Sequence, residues 1–206
     1  MKITDITARQ ILDTRGVPTI EADVWAGDIL GRAAVPSGKS KGTFEAAELR
    51  DGGDKYWGMG VTKAIANVKE KIRPALKGLD AADQVSLDEA MKKLDPTPSK
   101  EKLGANATLA VSLAAARAGA HAKNVSLWQH IKELSGSPDS GAPQLIFNVI
   151  NGGLHAGTQL AFQEYHVVPR ARNVVKSLRI GAEIYHELGL VLAERYRKAA
   201  LNVGDE

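Results

Sequence analysis

Five side chains have the types and settings that could do chemistry. Glu164 follows Gln163 in a short apolar stretch. Its flanks Leu160, Phe162 and Val167 predict a poorly hydrated carboxyl with a raised pKa, suited to holding a proton. A lone Glu in a strand is more often an outward solubility residue, and only the apolar flanks favour the chemical reading. His155 lies among Gly152, Gly153 and Gly157, which lack the Cβ that would keep backbone away from a ligand. His121, His130, His166 and His186 lie in helical or strand patterns without metal-ligand partners and read as structural or surface residues. Ser40 sits in the polar loop Ser37-Gly38-Lys39-Ser40-Lys41-Gly42. Gly38-Lys39-Ser40 is no phosphate-binding P-loop, because that motif needs glycine where Ala33 stands. Glu206 ends the run Asn202-Val203-Gly204-Asp205.

The elements that must position these residues follow from periodicity. Ile3–Leu12 and Thr19–Trp25 alternate apolar and polar residues, and Ile29–Val35 makes a third strand, with turn signals at 16–18 and 26–28. An antiparallel meander is expected. Val61, Ile65, Val68 and Ile72 form one helical face, with Pro74 expected to end the helix. Leu87, Met91 and Leu94 form a second stripe, Leu103–His121 an alanine-rich buried helix, and Val125–Leu134 a fourth. Residues 1–135 therefore read as an α+β domain, three strands and then four helices. The Ser-, Gly- and Pro-rich stretch 136–143 reads as a linker. In 144–206, Leu145–Ile150 and Leu160–Val168 read as strands, and Asn173 caps a long amphipathic helix carrying Val174, Leu178, Leu188 and Leu192. Ala199–Val203 is expected to open one more strand. Apolar strands alternating with a helix suggest the incomplete start of a β/α barrel, since some 60 residues cannot close one of about 250.

Composition narrows the class. The chain has no cysteine, which excludes disulfide and thiolate chemistry and suits a reducing compartment. A net charge of +3 spread along the chain, with 5% aromatic residues, argues against nucleic acid as a partner. No stretch approaches the roughly 20 apolar residues of a membrane span, and the start lacks a signal-peptide core. Cytoplasmic location is expected.

Read in order, several segments resemble the enolase family. Ala8-Arg9-Gln10-Ile11-Leu12-Asp13-Thr14-Arg15-Gly16-Val17-Pro18-Thr19 resembles its N-terminal hairpin. Gly31-Arg32-Ala33-Ala34-Val35-Pro36-Ser37-Gly38 leads into its mobile active-site loop. Lys102-Leu103-Gly104-Ala105-Asn106-Ala107 opens its central helix. Asn151-Gly152-Gly153-Leu154-His155-Ala156-Gly157 and Phe162-Gln163-Glu164-Tyr165 resemble the first barrel strands, and Asn202-Val203-Gly204-Asp205-Glu206 the next catalytic strand.

The resemblance implies dehydration of 2-phosphoglycerate to phosphoenolpyruvate, with a Lys or His base and Mg²⁺ stabilising the ene-diolate. It implies Glu206 as general acid, Glu164 as the acidic residue cooperating with it, and Gln163 and His155 as substrate contacts. Ser40 would ligate a second Mg²⁺ when the loop closes. It places the principal carboxylate Mg²⁺ ligands and the lysine base on later barrel strands, so that the 206 residues alone would give no turnover. Family dimers form through the N-terminal region, and Arg15 and Glu21 match its interface charges. The alternative is a non-catalytic module acting through protein association, by a homo-oligomer or exposed barrel edges. Two departures stand out. Lys39 and Lys41 replace small residues of the usual loop pattern, and Leu154 stands where the family commonly has Ser. The lysines favour a phosphate-bearing ligand or misplace the loop.

Overall fold

The computed structural model describes residues 1–38, 41–138, 141–153, 156–157 and 159–203. They fall into two compact units, Met1–Pro138 and Asp139–Glu206.

In the first unit, β1 (Asp5–Leu12), β2 (Pro18–Ala26) and β3 (Ile29–Ala34) form an antiparallel meander in the order β1-β2-β3. The register sets Ala8 opposite Ala22 and Val24 opposite Gly31, so one face carries Ile6, Ala8, Ile20, Ala22, Val24 and Ala33. All six are buried. That face needs a partner, and α4 (Ala105–Ala122) supplies it with Ala107, Ala110, Val111, Ala114, Ala115 and Ala118. The approach is unusually close. A Cβ at Gly31 would lie 2.1 Å from the carbonyl oxygen of Ala114 and 2.4 Å from the nitrogen of Ala118. Glycine on the strand and alanines on the helix are therefore one packing solution.

The other helices complete the core. The helical run α1 (Thr62–Asn67), a π turn (Val68–Ile72) and α2 (Arg73–Leu76) buries Val61, Val68, Ile72 and Leu76. Pro74 was expected to end this helix, but the chain continues to Leu76. The π turn just ahead of it widens the backbone, which relieves the proline's missing N–H and its ring's clash with the carbonyl four residues back. In α3 (Gln84–Leu94), Leu87 and Met91 are buried but Leu94 is exposed at the last turn. Asp83 caps α3 by accepting from the Ser86 amide at 3.1 Å. Ser126 opens α5 (Leu127–Ser135) with a capping box to Gln129.

The second unit contains β4 (Phe147–Asn151), β5 (Glu164–Val167) and α6 (Val174–Tyr196). β4 and β5 pair antiparallel, with an irregularity between Asn148 and Ile150. Asn173 caps α6 as expected, accepting from the Lys176 amide at 2.8 Å. Gly181 of α6 lies against Phe147, where a Cβ would come within 2.4 Å of the ring. Two expectations fail here. Lys198–Leu201 is a 3₁₀ turn rather than the start of a strand, with Arg197 in the left-handed region just before it. The α6 stripe is also not a buried face: Val174 and Leu178 are exposed, and Leu188 and Leu192 are half-buried.

Candidate functional site

Gln163 and Glu164 stand where the second unit's loop meets β5. Glu164 is the first residue of that strand and pairs with Asn151, the last residue of β4. Gly152 and Gly153 follow Asn151 directly and fix the loop against β5. The Gly152 amide donates to the Gln163 carbonyl at 2.7 Å, and the Gly153 amide to the Leu160 carbonyl at 2.9 Å. A Cβ on Gly152 would sit 2.1 Å from the Phe162 carbonyl oxygen, and Gly153 adopts φ +60°. Those glycines were expected to admit a ligand. At Gly152 the close approach is instead to the protein's own backbone, which anchors the residue before Glu164.

The Glu164 carboxylate has two polar neighbours. Gln163 Nε2 donates to Oε1 at a long 3.4 Å, and His166 Nε2 lies 2.9 Å from Oε2. Residues 164 and 166 share one face of β5 by the two-residue strand period. A carboxylate beside an imidazole can take up or release a proton without an intervening water. The poorly hydrated setting expected from the flanks is not found. Glu164 is exposed, as are Leu160 and Phe162, the latter at 71%. Apolar neighbours along a strand desolvate a residue only when another layer covers them, and none covers these among the described residues.

Sequence reasoning missed two residues here. His166 was read as a structural or surface residue; it is exposed, and its i+2 spacing from Glu164 was the signal for its contact with that carboxylate. Asn151 holds a buried Nδ2 without a hydrogen-bond partner among the described residues, directly across the ladder from Glu164. Nothing in the sequence singled it out, because its orphaned donor depends on the pairing register. Ser40, His155 and Glu206 lie outside the described residues, as do Lys39 and Leu154.

The first unit anchors the start of the Ser40 loop. Arg50 has a side chain only 13% exposed and pairs with Glu48 at 2.7 Å. It donates from Nη1 to the Pro18 and Met59 carbonyls, at 2.6 and 2.8 Å, and from Nη2 to Ser37 Oγ at 3.1 Å. Arg15 reaches the same residue, donating to the Ser37 carbonyl at 2.7 Å while it pairs with Asp13 at 3.1 Å. Two arginines therefore hold Ser37.

Glu21, the other expected interface charge, belongs to a four-residue cluster on the polar face of the sheet. Arg9 bridges Glu21 and Asp23. Arg32 donates to Asp23 from Nε at 2.6 Å and from Nη2 at 2.9 Å. The Arg32 fork, reinforced by Arg9, holds the Asp23 carboxyl down at about 2 although burial opposes it. Arg15 and Glu21 thus each have partners inside the chain, and neither pairs with the other.

Among the described residues no group of three or more His, Asp or Glu side chains is placed to hold a metal ion. The resemblance places the principal carboxylate ligands for Mg²⁺ on later barrel strands, and no described cluster takes their place.

Comparison with known proteins agrees along the whole chain. The family of the enolase N-terminal domain matches residues 3–131, and that of the enolase C-terminal TIM barrel domain matches residues 141–206. Enolase 2 of Hevea brasiliensis is 50% identical over 99% of this chain and 48% of its own length. An enolase of Solanum lycopersicum is 51% identical over the same shares. The chain spans about half the length of the curated relatives it matches.

Proposed function

Because the chain belongs to the enolase family, a family of lyases, we propose that it serves the dehydration of 2-phosphoglycerate to phosphoenolpyruvate in glycolysis and gluconeogenesis. The observation that carries this reading is the Gln163–Glu164 pair at the head of β5, held to the Asn151-Gly152-Gly153 turn by the Gly152 amide on the Gln163 carbonyl and by the pairing of Asn151 with Glu164. In this proposal Glu206 is the general acid that protonates the leaving hydroxide, and Glu164 is the acidic residue that cooperates with it. Gln163 orients the Glu164 carboxylate, and His155 and Gln163 contact the substrate. Ser40 comes from the loop that Arg15 and Arg50 anchor at Ser37. Ser40 would ligate a second Mg²⁺ on loop closure, the principal carboxylate ligands lying on later barrel strands, and the metal would supply charge stabilisation of the ene-diolate. The protein works in the cytoplasm and associates through its N-terminal unit, with Arg15 and Glu21 at the interface. No described helix is long and apolar enough to cross a membrane.

The test is a chimera in which these 206 residues replace the corresponding part of the tomato enolase. Formation of phosphoenolpyruvate from 2-phosphoglycerate is the expected result. A folded chimera without turnover would refute the proposal.

A second reading, association without turnover, is favoured by one observation. Val175, Leu178 and Leu190 of α6 are exposed at 78%, 55% and 67%, an apolar surface that self-association would cover. Both readings expect association, so turnover separates the two: phosphoenolpyruvate formed by the chimera sinks the reading of association without turnover.

A further inference from the structure

A cleft of about 390 Å³ opens between β3, the C-terminal half of α4 and the start of α5, all within the first unit. It uses no residue of the Gln163–Glu164 site. Its polar lining is Arg32, Arg117, His121 and Ser126, over an apolar floor that includes Leu30 and Leu127. Among the described residues no carboxylate lines it.

Three observations make this wall an anion receptor. First, Arg32 is immobilised through Nε and Nη2 on Asp23, which leaves Nη1 without a hydrogen bond among the described residues. The cluster of Arg9, Arg32, Glu21 and Asp23 is neutral as a whole, so Arg32 is a rigid donor without a carboxylate of its own in the cleft. Second, Arg117 is exposed and has no hydrogen-bond or ion-pair partner among the described residues, and His121 follows it by one turn on the same face of α4. A cation left unpaired beside a fixed guanidinium is electrostatically costly unless an anion is supplied. Third, Ser126 caps α5 by accepting from the Gln129 amide at 3.4 Å. That leaves the Leu127 and Trp128 amides of the first turn without an intrahelical acceptor. The Gly31–Ala114 contact, too close to admit a Cβ, brings β3 near enough to α4 for Arg32 and Arg117 to share one cleft.

We propose that this cleft binds a small phosphate monoester, its phosphoryl oxygens taken by Arg32, Arg117, His121 and the α5 amides and its body resting on Leu30 and Leu127. The volume suits a molecule of a few carbons and one phosphate rather than a nucleotide-sized ligand. A monoester fits better than a carboxylate because three terminal oxygens match donors arriving from three separate elements.

The test uses the 206-residue chain with glycerol phosphate, inorganic phosphate and glycerol as probes, read by calorimetry and by amide chemical shifts. Glycerol phosphate is expected to bind saturably, with shifts concentrated at Leu30, Arg32, Arg117, His121, Ser126 and Leu127. Inorganic phosphate should give the same shifts more weakly, and glycerol none. Arg117→Ala should weaken glycerol phosphate about tenfold or more, whereas Lys69→Ala, an exposed lysine on the π turn, should change nothing. The Arg117 side chain has no hydrogen-bond partner among the described residues, so a far-UV dichroism spectrum unchanged in Arg117→Ala shows that a loss is local. Absence of saturation, shifts spread over the surface lysines, or equal binding by Arg117→Ala would each overturn the site.

Discussion

Replacing Asp23 by Asn should make the first unit less stable near neutrality and less sensitive to acid. Asp23 is almost buried, its side chain 6% exposed, and is gripped by both Arg9 and Arg32. Its carboxyl titrates near 2 instead of 3.8. That difference corresponds to about 2 kcal/mol of folding stability, an upper value because Arg32 is half exposed and water screens it. The sign follows from linkage. A carboxyl whose pKa is depressed in the folded state stabilises the fold fully above the unfolded value. It loses that contribution as pH falls from about 4 through about 2. Asp23→Asn should therefore lose about 2 kcal/mol at pH 7, and the gap to wild type should close as pH approaches 2. Asp13, Asp51, Asp80, Asp83, Glu89 and Asp95 are also held below their ordinary values, so both proteins lose stability in acid and only the difference is diagnostic. The assay is urea unfolding at a series of pH values, followed by tryptophan fluorescence. The three tryptophans, Trp25, Trp57 and Trp128, all lie in the first unit, so the signal reports that unit alone. Parallel stability curves for the two proteins from pH 5 to pH 2 would refute the reasoning.

Other perturbations test other joints. His130 is fully buried with both ring nitrogens unpartnered among the described residues, and burial, then Lys123, holds its pKa below the ordinary value. His130→Leu should stabilise the first unit by about 1 kcal/mol or more at pH 7 and flatten the loss that begins in wild type as pH falls below about 6.5, read by the same unfolding series. Gly31→Ala should cost several kcal/mol, because its methyl would press on the Ala114 carbonyl 2.1 Å away; thermal melts by circular dichroism measure it. Asp95→Ala should cost about 2–4 kcal/mol, since its carboxylate accepts from the Lys102, Leu103 and Thr97 amides, and hydrogen exchange at residues 97–103 should rise most. Gly152→Ala should break the hydrogen bond that the residue-152 amide donates to the Gln163 carbonyl, visible as accelerated exchange of that amide while first-unit amides stay protected.

What was legible in the sequence depended on whether a local pattern had a local cause. The meander showed because alternation in 5–12 and 18–26 is set by one buried face. α4 showed because alanines repeat where β3 must come close. The continuation past Pro74 did not show, since the π turn that accommodates it leaves no pattern of its own. Leu94, Leu178 and the flanks of Glu164 misled for a common reason. An apolar residue reports a preference for burial, while the covering layer that satisfies it is a tertiary matter. In the site, Gln163 and Glu164 were found by their motif, but the roles of Asn151 and His166 follow from register and strand period. The Arg15 and Arg50 grip on Ser37 joins positions up to 22 residues apart, and no spacing rule announces it.

The most direct test of the central claim is the steady-state dehydration of 2-phosphoglycerate by the tomato chimera, with and without Glu164→Gln. The side chains are nearly the same size, so folding and Gln163 are left in place while the exchangeable proton of the carboxyl is removed. A fall in kcat of about 10²- to 10⁴-fold, with KM changed far less, is the predicted result. Wild-type kcat in the Glu164→Gln chimera would contradict the account.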